Sequence, residues 1–142
     1  MSISAKQAAR SLVEAFGRPD DIIALLAEDA QWWVSPSAPT EVMKNVSVGH
    51  EEILGNMRRV FGGLYKPETV RAEVHDNIGE GDLGVVRITL FAEFPNGGSY
   101  ENDYTVWTKV RDGKITHVWE FVDVLRAVTQ MNAAGIEFAP AS

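Results

Sequence analysis

Cysteine is absent from the 142 residues. Disulfides, thiolate metal sites and cysteine nucleophiles are therefore excluded together. The three histidines, His50, His75 and His117, are scattered along the chain, which argues against a zinc site. Basic residues are also scarce. Against 20 Asp and Glu there are 13 Lys and Arg, for a net charge of −7, and no local Lys/Arg cluster offsets it. That balance opposes phosphate backbones, so no nucleic-acid partner is expected. No apolar run approaches the roughly 20 residues of a membrane span. The opening MSISAKQAARSLVEAFG is interrupted by Lys6, Arg10 and Glu14 and lacks the apolar core of a signal peptide. No membrane partner is expected, and the expected location is the cytoplasm. There is no repeat, low-complexity tract or dividing linker, so residues 1–142 read as a single domain.

What remains is ordinary globular material, with 45% hydrophobic and 23% charged residues. A chain of this length can bury roughly two thirds of its unfolded surface. Ser4 can cap a first helix, with Gln7 placed for a capping box, and Ala5, Ala8, Ala9, Leu12, Val13 and Phe16 recur at helical spacing. Gly17 stops it. Pro19–Asp20 can start a second helix, whose buried side is Ile22, Ile23, Leu25, Leu26 and Ala27. Residues 31–35 read as a short strand ended by Pro36 and Pro39, with an irregular loop to Ser47. A third helix is expected from about Gly49, with Ile53, Leu54, Met57, Val60 and Phe61 inward and Gly62-Gly63 at its end.

From Thr69 the period changes to two. Strands are expected over 69–76, 83–94, 100–110 and 115–122, with turns at 79–82, 95–98 and 111–114. Asp123 can cap a closing helix carrying Leu125, Val128 and Met131. The strand over 83–94 has one apolar face (Val86, Ile88, Leu90, Ala92, Phe94) and one mixed face (Val85, Arg87, Thr89, Phe91, Glu93). One helical layer cannot cover both, so a homodimer through the outer sheet face is expected.

Several segments carry a family likeness: Ala27-Glu28-Asp29-Ala30, Gly49-His50-Glu51-Glu52-Ile53, Val106-Trp107 leading to Arg111-Asp112-Gly113-Lys114-Ile115, and Trp119-Glu120-Phe121-Val122-Asp123. They resemble the nuclear transport factor two-like superfamily, in particular its SnoaL-like and limonene-epoxide-hydrolase-like branches. The resemblance implies a cone-shaped α+β fold. A strongly curved mixed, mainly antiparallel β-sheet is covered by about three helices, plus a short C-terminal helix. It also implies a pocket for a small hydrophobic molecule. The fold hosts isomerases, dehydratases, hydrolases, cyclases and non-enzymes alike.

In the resembling hydrolases and cyclases, an aspartate at the end of the last strand is general base or acid, and the matching residue here is Asp123. At the mouth of an apolar pocket its pKa would rise, suiting proton transfer. It is equally suited to cap a helix, and both roles can hold. Arg87 matches the hydrolases' arginine and would pair with Asp123 across the pocket floor; a structural ion pair in the sheet is the alternative. Where those enzymes have an aspartate two residues later, this chain has Thr89, which cannot protonate a leaving oxygen. Asn45 lies at a water-holding position whose tyrosine is replaced by Met43, and an ordinary loop asparagine is the other reading. The ketosteroid isomerase pattern lacks its helix tyrosine and its first-strand carboxylate.

Tyr100, Asn102 and Tyr104 share one strand face and Glu101, Asp103, Thr105 and Trp107 the other; either could line the pocket. His117, Trp119, Phe121 and Asp123 fall on one face of the last strand. Trp32, Trp33, Trp107 and Trp119 could stack around a flat ligand or fill core and interface. The expectation is a cofactor-free enzyme doing acid–base chemistry on a polyketide- or terpenoid-like metabolite. Asp123 and Arg87 would be catalytic, and Trp33, Asn45, Thr89, Asn102, Tyr104 and Trp119 substrate-binding. The alternative is a non-catalytic ligand-binding or dimerisation module.

Overall fold

Ser4 opens the first helix as its position in the sequence suggests. Its Oγ accepts the Gln7 backbone N–H at 3.1 Å, and α1 runs over Ala5–Glu14. A computed structural model describes residues 3–136. Helix α2 (Pro19–Leu25) begins on a proline whose missing N–H is not needed there. Strand β1 (Leu26–Val34) follows directly, then β2 (Val46–Val48) and α3 (His50–Arg59). The meander comprises β3 (Arg71–Glu80), β4 (Leu83–Glu93), β5 (Ser99–Arg111) and β6 (Lys114–Val122), and α4 (Val124–Ala133) closes the described chain.

The strands form one open six-stranded sheet in the order β2-β1-β6-β5-β4-β3. All neighbours are antiparallel except β1 and β6, which pair in parallel. This is the mixed, mainly antiparallel α+β architecture expected. Alternation along β5 buries Tyr100, Asn102, Tyr104, Val106 and Thr108 against the helices, while Glu101, Asp103 and Trp107 face outward. Helix α1 crosses β3 and β4 at very short range. A Cβ on Gly84 would lie 2.0 Å from the Ala5 carbonyl oxygen, so only glycine fits beneath the helix.

Several boundaries differ from those the sequence suggests. Strand β1 starts at Leu26 rather than Gln31, because Leu26 pairs with Ile115 of β6, a distant partner that overrides helix propensity. The segment read as loop to Ser47 contains β2, which pairs with β1. The third helix stops at Arg59 and continues as a π-helical turn over Val60–Leu64, broken at Phe61 and Gly62. Strand β3 begins at Arg71 rather than Thr69, which ends a short 3-10 turn, and runs on to Glu80. The turn expected over 79–82 contracts to Gly81-Asp82, with Glu80 paired to Leu83. Among the described residues, no helix is long and apolar enough to cross a membrane.

Candidate functional site

The concave side of the sheet and the helices enclose a cavity with apolar walls. Val34, Leu90 and Val122 come from strands, Met57 from α3, and Ala127 and Met131 from α4. The loop holding Pro39, Val42 and Met43 flanks it. The cavity volume is about 70 Å³. The cavity is thus a narrow slot. Its aromatic wall is continuous, with ring centroids 6.3 Å apart for Trp32–Phe16, 5.9 Å for Phe16–Phe61, 6.5 Å for Phe61–Tyr65 and 4.9 Å for Tyr65–Tyr100.

Among the described residues, one charged side chain enters this space. Glu120 lies on the inward phase of β6, between Val34 of β1 and Val106 of β5 in the sheet. Its Oε1 accepts the Trp32 indole N–H at 3.0 Å. Protein surrounds the carboxyl, while the residue as a whole is half-buried. Desolvation pushes its pKa up to about 7, and the Trp32 hydrogen bond opposes the rise without cancelling it. A carboxyl held there is present in both protonation states near neutrality, the condition for a group that takes and returns a proton.

Beside it stands a hydrogen-bonded tyrosine pair. Tyr100 and Tyr104 share a hydrogen bond of 2.7 Å between their hydroxyls, and the Asn102 amide donates to the Tyr100 hydroxyl at 3.0 Å. Tyr65, whose ring lies 4.9 Å from that of Tyr100, brings a third hydroxyl against the pair, so the three form a cluster of phenolic donors on the cavity wall. Burial, reinforced by neighbouring tyrosines, pushes Tyr65 and Tyr104 well above the usual tyrosine range. Burial also raises Tyr100, although its hydrogen bonds to Tyr104 and Asn102 pull the other way. The hydroxyls are therefore donors rather than phenolates. The charge of Glu120 is felt at all three.

The other residues singled out from the sequence occupy different places. Asp123 is exposed; its Oδ1 accepts the Arg126 backbone N–H at 3.0 Å, which caps α4, and its own carbonyl accepts from Asn102 at 2.9 Å. Arg87 lies on the outer face and pairs with Asp76 at 2.7 Å, with both side chains more than half exposed. The expected pairing with Asp123 across the pocket floor is replaced by this one, because strand alternation turns Arg87 away from the cavity and the β3–β4 register sets Asp76 opposite it. Arg87 and Asp123 do border one shallow cleft on the outer side, together with Asp103 and Phe121.

Thr89 is also outward, donating to Asp103 Oδ1 at 2.8 Å and lying 2.7 Å from His75 Nε2. Asn45 donates to the Val34 carbonyl at 2.7 Å and fastens its loop to β1. Trp33, Trp119 and Trp107 stand side by side across β1, β6 and β5 on the outer face. Trp33 packs on Phe121 at 5.0 Å and Trp119 stacks on His117 at 5.4 Å. Of the candidates, Tyr104 lines the cavity and Asn102 supports its tyrosines. Glu120 was not among them. The signal for it was present: Glu120 shares its strand phase with Val118 and Val122, so a lone acid interrupts an apolar face. Among the described residues, no group of three His, Asp or Glu side chains is placed to hold a metal ion.

With this geometry in hand, comparison with known proteins places the chain. A family model described as a SnoaL-like domain matches residues 9–118. No curated protein matches the sequence. Among solved structures, TerC co-crystallised with polyporic acid superposes with a TM-score of 0.77 at 20% identity, covering 91% of this chain and 99% of that one. A protein of ketosteroid isomerase-like fold from Catenulispora acidiphila, in complex with trimethylamine, gives 0.73 at 14% identity over 94% and 98% of the two chains. IdmH from Streptomyces antibioticus, a proposed polyketide cyclase, gives 0.72 at 22% identity over 92% and 99%.

Proposed function

The chain belongs to the SnoaL-like domain family, and on that premise we propose that it is a cofactor-free enzyme moving protons on a small hydrophobic metabolite of polyketide- or terpenoid-like make. Glu120 carries the proton. The observation behind this is one carboxyl with a pKa near 7, the one charged group among the described residues of an apolar slot, fixed by the Trp32 indole. In the ionised state Glu120 removes a proton from carbon beside a carbonyl, and a phenolic donor of the Tyr65, Tyr100 and Tyr104 cluster stabilises the oxyanion that forms. Return of the proton elsewhere isomerises the substrate; attack by the enolate cyclises it. The proposed cyclase among the structural neighbours, and the small organic ligands of two others, support this reading. It assigns Asp123 to the helix cap and the outer cleft rather than to proton transfer.

The test uses 2-tetralone, a flat bicyclic ketone, with binding followed by tryptophan fluorescence and α-proton exchange into deuterated buffer followed by NMR. Glu120→Gln keeps an acceptor for the Trp32 indole but removes the base, so exchange in the bound ketone falls by about 10²- to 10⁴-fold. Asp123→Asn changes it little. If exchange persists in Glu120→Gln and collapses in Asp123→Asn, the assignment is wrong. A ketone that binds but exchanges no faster than in buffer makes the protein a binding module.

The second copy expected from the sequence is part of the same reading. Trp33, Trp119 and Trp107 form a row on the outer face, where Trp107 and Phe121 remain 41% and 45% exposed. A homodimer through this face would cover them. Sedimentation should give twice the chain mass, and Trp107→Glu should return it to the monomer.

A further inference from the structure

The charge inventory of the cavity is one-sided. Among the described residues lining it, Glu120 is the sole charged side chain, and none is Lys, Arg or His. From Trp32, bonded to Glu120, a series of neighbouring aromatic rings runs along the cavity wall through Phe16, Phe61 and Tyr65 to Tyr100. An anionic ligand would find no counter-charge among the described residues, only the tyrosine hydroxyls, and would face Glu120 in a poorly solvated space. A neutral ligand would leave the ionised carboxylate with the indole N–H alone. A cation satisfies both elements at once, pairing with the carboxylate and resting against electron-rich rings. The net charge of −7 adds a long-range field of the same sense.

We propose that this pocket selects ligands with a single positive charge on an apolar body, namely hydrophobic amines or quaternary ammonium compounds. The proposal concerns the same site as the acid–base reading and names the ligand class that the site prefers; it invokes no chemical step.

Phenyltrimethylammonium is a suitable probe because its charge does not titrate. Its neutral isostere is tert-butylbenzene, and benzoate is the anionic control. By calorimetry on the intact protein at pH 8, the ammonium should bind at least about tenfold more tightly than the isostere, and benzoate should not bind. The groups facing Glu120 that could also titrate are Tyr65, Tyr100 and Tyr104, and burial keeps them protonated over this range. Lowering the pH to 5 protonates Glu120, so ammonium affinity should fall by about tenfold or more, to near that of tert-butylbenzene, which holds. In Glu120→Gln the ammonium preference should vanish, and unchanged binding of the isostere shows that the variant's pocket is intact. Equal affinity of the two, absence of a pH effect, or failure of the ammonium to bind overturns the proposal. Loss of 2-tetralone exchange in Glu120→Gln without any ammonium preference rejects this proposal and leaves the acid–base reading standing. An ammonium preference with no exchange does the reverse.

Discussion

On β6, Trp119 and Phe121 face outward while Glu120 between them faces in; on β5, Glu101 and Asp103 face outward while Asn102 faces in. The two faces draw on similar residue types, yet they differ in what water does for them. Outside, Arg87–Asp76 and Arg126–Asp103 are ion pairs whose side chains are 41% to 64% exposed, where solvent screens the charges. Inside, one carboxyl with no counter-charge among the described residues lining the cavity is raised to about 7. Burial without a counter-charge, rather than residue type, makes an acid chemically useful here.

That contrast can be broken in stages. The largest expected effect is the loss of proton exchange in Glu120→Gln set against its retention in Asp123→Asn, described above. Next comes stability. The Glu120 carboxyl titrates near 4.5 when unfolded and near 7 when folded, so between these values the folded state binds more protons than the unfolded state. Stability contributed by the neutral acid is therefore present below about 4.5 and is lost as pH rises through about 7, by roughly 3 kcal/mol. Denaturant melts across this window should show the slope in the wild type and a flatter profile in Glu120→Gln. Tyr104→Phe, which removes a hydroxyl from the inner pair, should reduce exchange about tenfold with little change in ketone binding. The smallest effect belongs to the outer face. Arg87→Ala, breaking an exposed pair, should move the unfolding free energy by less than about 1 kcal/mol and leave exchange intact. An outer-face variant that matched Glu120→Gln in exchange would dissolve the distinction.

Much of the fold was legible because its signals are local. Asp112-Gly113 makes the turn between β5 and β6 with both residues at positive φ, 53° and 78°. Asp123 and Ser4 cap the helices that follow them. The beginning of β1 was not legible, because Leu25-Leu26-Ala27 reads as helix until its distant partner β6 is known. The site was half legible. Tyr104 and Asn102 were visible, but which face they occupied depended on where the helices pack. Glu120 was hidden by its neighbours: Trp119 and Phe121, the bulkier residues, suggest that their phase is the buried one, whereas Phe121 is 45% exposed. On an open sheet whose outer face is also aromatic, size does not identify the inside.

The parallel pairing of β1 with β6 also bears on how the molecule is made. The Trp32–Glu120 hydrogen bond joins residues 88 apart in sequence, and β1 meets no other strand besides the three-residue β2 until β6 arrives. On the ribosome, helices and hairpins can form as they emerge, but the slot can close only after the last strand has been synthesised. Until then the nascent chain displays Trp32, Trp33 and the edge of β1, so the interval before β6 is when it depends most on protection from aggregation.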